Sequence, residues 1–196
     1  GRVDVDDDLR VIGHVRCPAP GGLMAELLQV NVMPSAGQGL LVERELAEQV
    51  GPYDETLSSA EDWDYAIRLL EAAPPHLLDE PLVGYRTGVA SMSTDTARME
   101  REIAKVIAKH EHLYRRFGVE PDWGRIHQSL LTADLLGSPA QARRRAFRSF
   151  RAGPTLGSLR KLVMVLVAPR WYEERSRRRR GEQVPEEWRR QARVWL

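Results

Sequence analysis

The hydrophobic pattern of this chain changes near Asp95, and this change most limits the folds open to it. Before Asp95, segments whose hydrophobic residues have the spacing of strands alternate with segments that have the spacing of helices. We predict strands at residues 9–16, 40–42, 77–78 and 82–85, and helices at residues 23–30, about 44–50 and 59–73. After Asp95 we predict helices at residues 96–117, about 122–136, 139–151 and 155–168, and in a tail past Pro169. Mixed short elements followed by helices alone predict an α/β portion with an all-α extension.

Composition predicts a folded chain. Of its 196 residues, 42% are hydrophobic and the formal net charge is only +1, which excludes a mainly disordered protein. The longest apolar run, residues 162–168, is far shorter than the roughly 18 residues that a membrane-spanning helix needs. The acidic N-terminal sequence lacks the pattern of a signal peptide, and a single cysteine excludes a disulfide framework. We therefore predict a cytoplasmic protein.

The near-zero net charge hides an uneven distribution. Residues 1–140 carry 13 Lys and Arg against 23 Asp and Glu, a balance of −10, whereas residues 141–196 carry 16 against 5, a balance of +11. This asymmetry predicts different roles for the two parts, with an anionic partner for the basic one. The chain also opens at Gly1 without an initiator Met, and we interpret it as a fragment of a longer protein.

The strongest local signal lies at residues 59–73. Ser59 is a good N-cap residue, and Asp62 three positions later suits a capping box. Apolar residues with the spacing of one helical stripe follow: Trp63, Ala66, Ile67 and Leu70. Pro74 and Pro75 end the predicted helix.

Three carboxylates, Glu61, Asp62 and Asp64, fall in the first turn of this helix. Acidic residues at a helix N-terminus stabilise it through the macrodipole, which is one explanation of the cluster. Successive helical residues point about 100° apart, however, so with Trp63 turned inward one or two carboxylates must project from the rim of the core. A carboxylate beside other acids has a raised pKa, which makes it a better general base near neutral pH. The residues alone leave both explanations open.

Four motifs occur in order along residues 31–93. They are Asn31 with SAGQGLLVER at 35–44, VGPYDE at 50–55, EDWD at 61–64 followed by Arg68 and Leu69, and PLV, YR and SMS at 81–83, 85–86 and 91–93. They resemble the loop and strand ending in a basic residue, the GGFDE turn, the EDWDLWLRL helix and the PLVRYRRHPGSMS strand of family-2 glycosyltransferases. These are inverting enzymes with a nucleotide-diphospho-sugar transferase (GT-A type) fold. Residues 38–93 resemble the C-terminal half of their catalytic domain.

The resemblance implies a fold class and three units. The expected fold is α/β, the C-terminal half of a GT-A type domain with short mixed strands, followed by an all-α extension. We assign the acceptor-side half of the transferase domain to residues 1–95, a helical extension to 96–168 and a basic helical tail to 169–196. Nothing in the chain resembles a phosphate-binding glycine loop or the leading β-α units that bind the nucleotide, so that half is expected outside this chain.

The resemblance also implies roles for residues on the acceptor side. In the family, the aspartate that matches Asp62 is the general base. It takes the proton of an acceptor hydroxyl, which attacks the donor and inverts its anomeric carbon. Glu61, Asp64 and Trp63 are expected to bind the acceptor, although the apolar stripe also suits Trp63 to the core. Gly37 is expected to let the backbone approach the sugar, with an ordinary turn as the alternative.

On the donor side, Arg86 matches a residue suited to a diphosphate, with a structural ion pair as the alternative. Gly88 stands where the family often has a histidine, which leaves the stabilisation of the leaving group open. Family members hold Mg²⁺ or Mn²⁺ with an Asp-x-Asp motif. Asp4 and Asp6 have that spacing but lie too close to Asp62 in sequence, and we interpret this stretch as a turn between two strands. The ligands of the divalent cation are therefore expected outside this chain.

The basic tail follows an ordered pattern. The apolar residues 162–168 precede Trp171 and Tyr172, and an arginine cluster follows at 177–180. This order suits adsorption of residues 170–180 to an anionic membrane surface, with a solvated charged helix as the alternative. Nucleic acid is not expected as a partner, because no base-reading module accompanies the arginines.

The sequence thus predicts an enzyme, an inverting glycosyltransferase of cell-envelope polysaccharide biosynthesis. It would move a sugar from a nucleoside-diphosphate sugar to a hydroxyl of a glycan or lipid-linked acceptor. The chain alone is expected to be inactive, and its location to be cytoplasmic with peripheral attachment to the membrane. The alternative is a non-catalytic helical interaction or membrane-surface module that retains a degenerate transferase half.

Overall fold

A computed structural model describes residues 1–87 and 95–196. Helices account for 60% of the residues that the structure describes. The described helices are α1 (Leu23–Gln29), α2 (Arg44–Val50), α3 (Glu61–Ala72), α4 (Thr96–Lys109), α5 (Glu111–Phe117), α6 (Trp123–Gly137), α7 (Pro139–Ala152), α8 (Leu156–Val167), α9 (Pro169–Glu182) and α10 (Glu186–Ala192). The described strands are β1 (Arg2–Val5), β2 (Val11–Val15) and β3 (Val83–Arg86), and a 3₁₀ turn, Ala36–Gly39, precedes α2. None of the described helices combines the length and the apolar composition needed to cross a bilayer.

The predicted fold class, α/β in the form of half a GT-A type domain, is wrong. The protein is mostly helical, and the described residues form one small mixed sheet with strand order β2-β1-β3. The reason lies in the short apolar runs. Residues 40–42 and 77–78 were expected as strands, yet they form none, and Leu41 and Leu78 are exposed. Runs this short do not by themselves distinguish a buried strand from an exposed connection.

The central strand of the sheet is β1. It pairs with β2 in antiparallel and with β3 in parallel orientation, which confirms the predicted turn between the first two strands. Val3 lies beside His14 and Gly84 in this register, and Arg2 lies beside Val15. Because neighbouring residues on adjacent strands point to the same face, the register determines which side chains share each side of the sheet.

The two faces of the sheet have different neighbours. Val3 and Val5 point to the face that α10 covers, where they pack with Trp188 and Ala192. The opposite face, which carries Arg2, borders an open cleft. The sheet therefore has one closed side and one side that can admit a ligand.

The largest core lies among the helices α1, α3, α4, α5 and α6. Its fully buried members include Leu28, Trp63, Ile67, Val106 and Leu113. A further core joins α6, α7 and α8. The three predicted units do not separate in packing, because the largest core crosses the boundary at residue 95 and the core under the sheet joins the first strand to the last helix.

Side chains cap several helices close to their predicted starts. Asp95, Asp122 and Ser138 each accept a hydrogen bond from the backbone N–H three residues further on, and Thr155 does so within a capping box. One predicted helix is divided into α4 and α5 at His110, which ends the first and precedes the second. These starts depend on local sequence, which is why they could be predicted.

Candidate functional site

A cleft with a volume of about 750 Å³ opens beside the N-terminus of α3. Its apolar wall comes from the segment after α1 and from α4 and α6: Val30, Val32, Met33, Met99, Ile103 and Leu130. Its charged side chains come from β1, from the residue after β2, and from α1, α3 and α6: Arg2, Arg16, Glu26, Asp62 and Arg125. The cleft therefore combines a carboxylate at a helix start with apolar side chains and three guanidinium groups.

Asp62 is a half-buried carboxylate of this cleft. Its Oδ1 accepts a hydrogen bond of 2.7 Å from the backbone N–H of Trp63. None of the ion pairs in the described part of the chain involves Asp62. The neighbouring Asp64, in contrast, forms ion pairs with Arg68, Lys109 and His110. Burial raises the pKa of Asp62, and the charge of Glu61 adds to this rise against the opposing effect of the backbone hydrogen bond. The carboxylate thus has increased proton affinity and open space beside it.

The backbone turns sharply just before Asp62. Ala60, which lines the cleft, has φ 61° and ψ 14°, in the left-handed region. This conformation costs a residue with a Cβ roughly 1–2 kcal/mol, and such strain is frequent at functional sites. It also shifts the helix start, because α3 begins at Glu61 rather than after Ser59. The capping box predicted for Ser59 and Asp62 is therefore wrong, and the Ser59 hydroxyl is buried without a hydrogen-bond partner among the described residues.

Trp63 belongs to the core. It is 1% exposed, and its indole N–H donates a hydrogen bond of 2.7 Å to the carbonyl of Leu27. It also borders the cleft. The structure therefore places it as a buried part of the wall, in agreement with the stripe to which it belongs.

Asp64 lies away from the cleft, in a buried polar cluster with α4 and α5. Its carboxylate is 2.9 Å from Arg68 Nε, 2.9 Å from Lys109 Nζ and 2.8 Å from His110 Nε2, and it has no exposed surface. Burial would raise the pKa of Asp64, but hydrogen bonds from His110, Lys109 and Arg68 outweigh it and lower the pKa to about 2. The prediction that Asp64 contacts an acceptor is wrong, because its buried oxygens bind Arg68, Lys109 and His110.

Glu61 and Gly37 flank a tyrosine rather than the cleft. Tyr53 stacks on Tyr65 with ring centres 4.6 Å apart. Burial raises the pKa of Tyr53, and Tyr65, Asp62 and Glu61 add to the rise. A Cβ on Gly37 would lie 3.0 Å from the Tyr53 hydroxyl, so glycine permits this close approach. The sequence contained Tyr53 within a motif, but only the structure shows that it lies near the carboxylates.

Arg86, predicted to bind the donor diphosphate, is not brought together with Asp62. It is the last residue of β3 and lies beside Val5 in the register. Because paired neighbours point to the same face, Arg86 belongs to the face of α10, whereas the cleft borders the opposite face. Gly88 and the SMS motif at 91–93 lie outside the described residues.

Asp4 and Asp6, the pair with Asp-x-Asp spacing, bind groups of the protein. Asp4 pairs with Arg2 at 3.0 Å, and Asp6 accepts hydrogen bonds from the backbone N–H groups of Asp8 and Arg10 in the turn after β1. No cluster of three or more His, Cys, Asp and Glu suited to a metal occurs in the described parts of the chain. Asp4 and Asp6 therefore do not fit the divalent cation that the resemblance implies.

Three arginines at the cleft were not predicted as site residues. Arg2 forms an ion pair with Asp4 on its own strand. Arg16 pairs with Asp79 at 2.7 Å, and Arg125 lies 3.3 Å from Glu26. Arg16 and Arg125 are exposed, and exposed pairs of this kind contribute little stability. The arginines come from separate elements, so no sequence spacing groups them.

Comparison with models of protein families, with curated proteins and with solved structures finds no match to this chain. The resemblance to family-2 glycosyltransferases rests on the motifs alone. The geometry around Asp62 is therefore the main guide to function.

Proposed function

We propose that Asp62 is the general base of a sugar transfer and that the cleft beside it holds the acceptor hydroxyl. One observation carries the proposal: a half-buried carboxylate with a raised pKa borders a cleft of about 750 Å³. It belongs to no ion pair of the described part of the chain, so no cation competes for the proton-accepting oxygen. Such a group accepts a proton near neutral pH more readily than an ordinary aspartate does.

In the proposed reaction, the acceptor oxygen attacks the anomeric carbon of a nucleoside-diphosphate sugar. The hydroxyl proton passes to Oδ2 of Asp62 as the new carbon–oxygen bond forms. The bond from the anomeric carbon to the diphosphate breaks, and its electron pair leaves with the nucleoside diphosphate. Meanwhile Oδ1 keeps its hydrogen bond from the backbone of Trp63, which holds the orientation of the carboxyl group.

The walls of the cleft suit an acceptor with both apolar and polar parts. Val30, Met33 and Ile103 offer an apolar surface, and the arginine side chains of the lining offer hydrogen-bond donors. A lipid-linked glycan has these properties. We take the residues that bind the donor to lie outside this chain, and Arg86 has no part in the proposed step.

The test compares Asp62→Asn with Asp64→Asn, the same change two residues apart on one helix. Transfer is measured on the complete encoded protein, with labelled UDP-, dTDP- and GDP-sugars, Mn²⁺, and glycan and lipid-linked acceptors. We expect Asp62→Asn to lower kcat by about 10²- to 10⁴-fold, the usual contribution of a general base. Its Tm should stay the same or rise slightly, because a partly desolvated charge is removed. Asp64→Asn should lower Tm by about 6–20 °C, because it unpairs buried groups.

Two results would contradict the catalytic role. The first is transfer by the Asp62→Asn protein at the wild-type rate. The second is a fall in its Tm as large as that of Asp64→Asn, since Asp62 would then be a structural group. If the complete wild-type protein transfers sugar from none of these donors, the non-catalytic module is the better explanation of the chain.

A further inference from the structure

The outer face of α8 carries a row of exposed aliphatic side chains. On an ideal helix its members fall within about 100° of arc. We call this set the α8 row: Leu156, Leu159, Val163, Leu166 and Val167. Leu162 and Val165, which point to the other side of α8, are buried against α6 and α7. Exposed apolar rows of this kind usually mark an interaction surface.

The surroundings of the α8 row are strongly basic. Residues 139–182, which form α7, α8 and α9, contain 13 Lys and Arg against three Glu, a net charge of +10. The exposed Arg160 borders the row on α8 itself. Arg170 and the exposed Trp171 follow directly in the first turn of α9, and Arg175 lies over the Trp171 ring at 5.1 Å. Apolar, aromatic and cationic groups therefore adjoin one another at the junction of α8 and α9.

We propose that the α8 row, with Trp171 and the flanking arginines, docks on the surface of an anionic lipid bilayer. The aliphatic side chains would enter the boundary of the acyl chains, the indole would lie at headgroup level, and the arginines would meet lipid phosphates. The arginines of residues 177–180 point to several sides of α9, so residues 170–180 alone lack an apolar face. The docking surface thus centres on α8, and it does not depend on the role of Asp62.

The charge of this surface and its apolar row favour an anionic bilayer over two other partners, a second copy of the chain and a nucleic-acid duplex. A second copy of the chain would bring two strongly basic surfaces together in a symmetric dimer, which like-charge repulsion opposes. A nucleic-acid duplex would meet the arginines through its phosphates but would leave the α8 row in water. An anionic bilayer satisfies both the charge and the apolar row.

The test measures flotation of the full chain with vesicles of phosphatidylcholine containing phosphatidylglycerol, and with vesicles of phosphatidylcholine alone. We expect about tenfold tighter binding to the anionic vesicles, weakened by high salt. Val163→Glu with Leu166→Glu should reduce this binding about tenfold, because it places charges in the acyl boundary. The matched control is Leu41→Glu, which changes a fully exposed leucine outside α8 and α9 and should bind as the wild type does.

A second pair of substitutions, Val163→Thr with Leu166→Gln, keeps the side-chain volumes nearly unchanged, and circular dichroism reports whether the helices persist. It should also weaken binding. Equal binding to both kinds of vesicle, or wild-type binding by both double variants, would overturn the proposal. So would a wild-type dimer in light scattering that the double variants dissociate, because a second copy would then cover the α8 row. The Asp62→Asn protein should bind vesicles normally, which separates this proposal from the catalytic one.

Discussion

Asp62 and Asp64 lie in the same helical turn, yet their side chains meet opposite environments. They point about 200° apart on α3, so Asp62 borders the cleft while Asp64 faces the end of α4. Burial dominates at Asp62 and raises its pKa, whereas hydrogen bonds from three partners dominate at Asp64 and lower its pKa. Two identical residues in one acidic cluster therefore have different physical roles.

The lowered pKa of Asp64 predicts a pH-dependent contribution to stability. Its pKa falls from 3.8 to about 2 on folding, so the unfolded chain binds its proton more readily. The stability that ionised Asp64 contributes is therefore complete above the unfolded pKa and is lost as the pH falls towards 2. Chemical denaturation at several pH values should show that wild type exceeds Asp64→Asn by about 3–5 kcal/mol at pH 7, and that the gap narrows in acid. A gap independent of pH would contradict this assignment.

For Asp62 we predict a contribution to stability with the opposite dependence on pH. Its pKa is raised by folding, so ionisation opposes the folded state at neutral pH and ceases to do so once the carboxyl group is protonated. Asp62→Asn should therefore be at least as stable as wild type at pH 7, and the two proteins should converge as the pH falls through the raised pKa. The same denaturation series measures this, and a variant that is less stable at neutral pH would be evidence against a raised pKa.

The left-handed conformation of Ala60 predicts that glycine stabilises the protein. Relief of about 1–2 kcal/mol of strain is partly offset by about 0.4–1 kcal/mol of added freedom in the unfolded chain, so Ala60→Gly should gain about 0.5 kcal/mol. The matched control is Ala66→Gly in the interior of α3, which should lose about 0.5–1 kcal/mol. Free energies of unfolding measure both, and destabilisation by Ala60→Gly would show that Ala60 carries little strain.

Among the elements, a buried polar cluster joins α4, α6 and α7. Thr96 donates a hydrogen bond of 2.6 Å to one oxygen of Asp134, and Arg145 binds the other oxygen. Arg145 also pairs with Glu100 at 3.1 Å. The pair of helices α6 and α7 is thereby joined to α4, so both have a defined position against that helix.

This cluster predicts unequal costs for two arginines that share one partner. Arg145→Ala should lose about 3–5 kcal/mol, because it leaves Asp134 buried and unpaired. Arg148 also pairs with Glu100, at 3.0 Å, but is exposed, so Arg148→Ala should lose only about 0–1 kcal/mol. Urea unfolding of the two variants is the measurement, and similar losses would indicate that burial of the Asp134 pair contributes little.

At the scale of the whole molecule, the last helix, α10, packs over the first strand, β1. Trp188 of α10 is 5% exposed and packs with Val3 and Val5 on one face of the sheet. Arg16 lies over the Trp188 ring at 5.2 Å, and the ring is edge-on to His14 at 5.6 Å. The core under the sheet is separate from the larger helical core, and the two ends of the chain build it together.

Loss of Trp188 should therefore affect the sheet before the helices. Trp188→Ala is expected to cost about 3–5 kcal/mol and to speed amide hydrogen exchange in β1 and β2 more than in α3 and α4. Trp195 is 45% exposed and serves as the control, since Trp195→Ala should change exchange little. Equal acceleration across both cores would mean that they unfold as one unit.

Most helices could be predicted because their signals are local. The stripe from Trp63 to Leu70 and the caps at Asp95, Asp122 and Thr155 depend on residues a few positions apart. The predicted strands at 40–42 and 77–78 were wrong because a strand needs a partner, and no local signal specifies one.

The sequence by itself determined the approximate limits of most helices, the turn between the first two strands, and the presence of a carboxylate cluster at the start of α3. Only the tertiary structure decided that Asp62 borders a cleft while Asp64 is buried, that Arg86 lies on the far face of the sheet, and that α10 covers β1. The physical reason is the distance along the chain over which each interaction acts. Helix signals act over one or two turns, whereas burial, strand register and the pKa of a carboxylate depend on groups that are distant in the chain and adjacent in space.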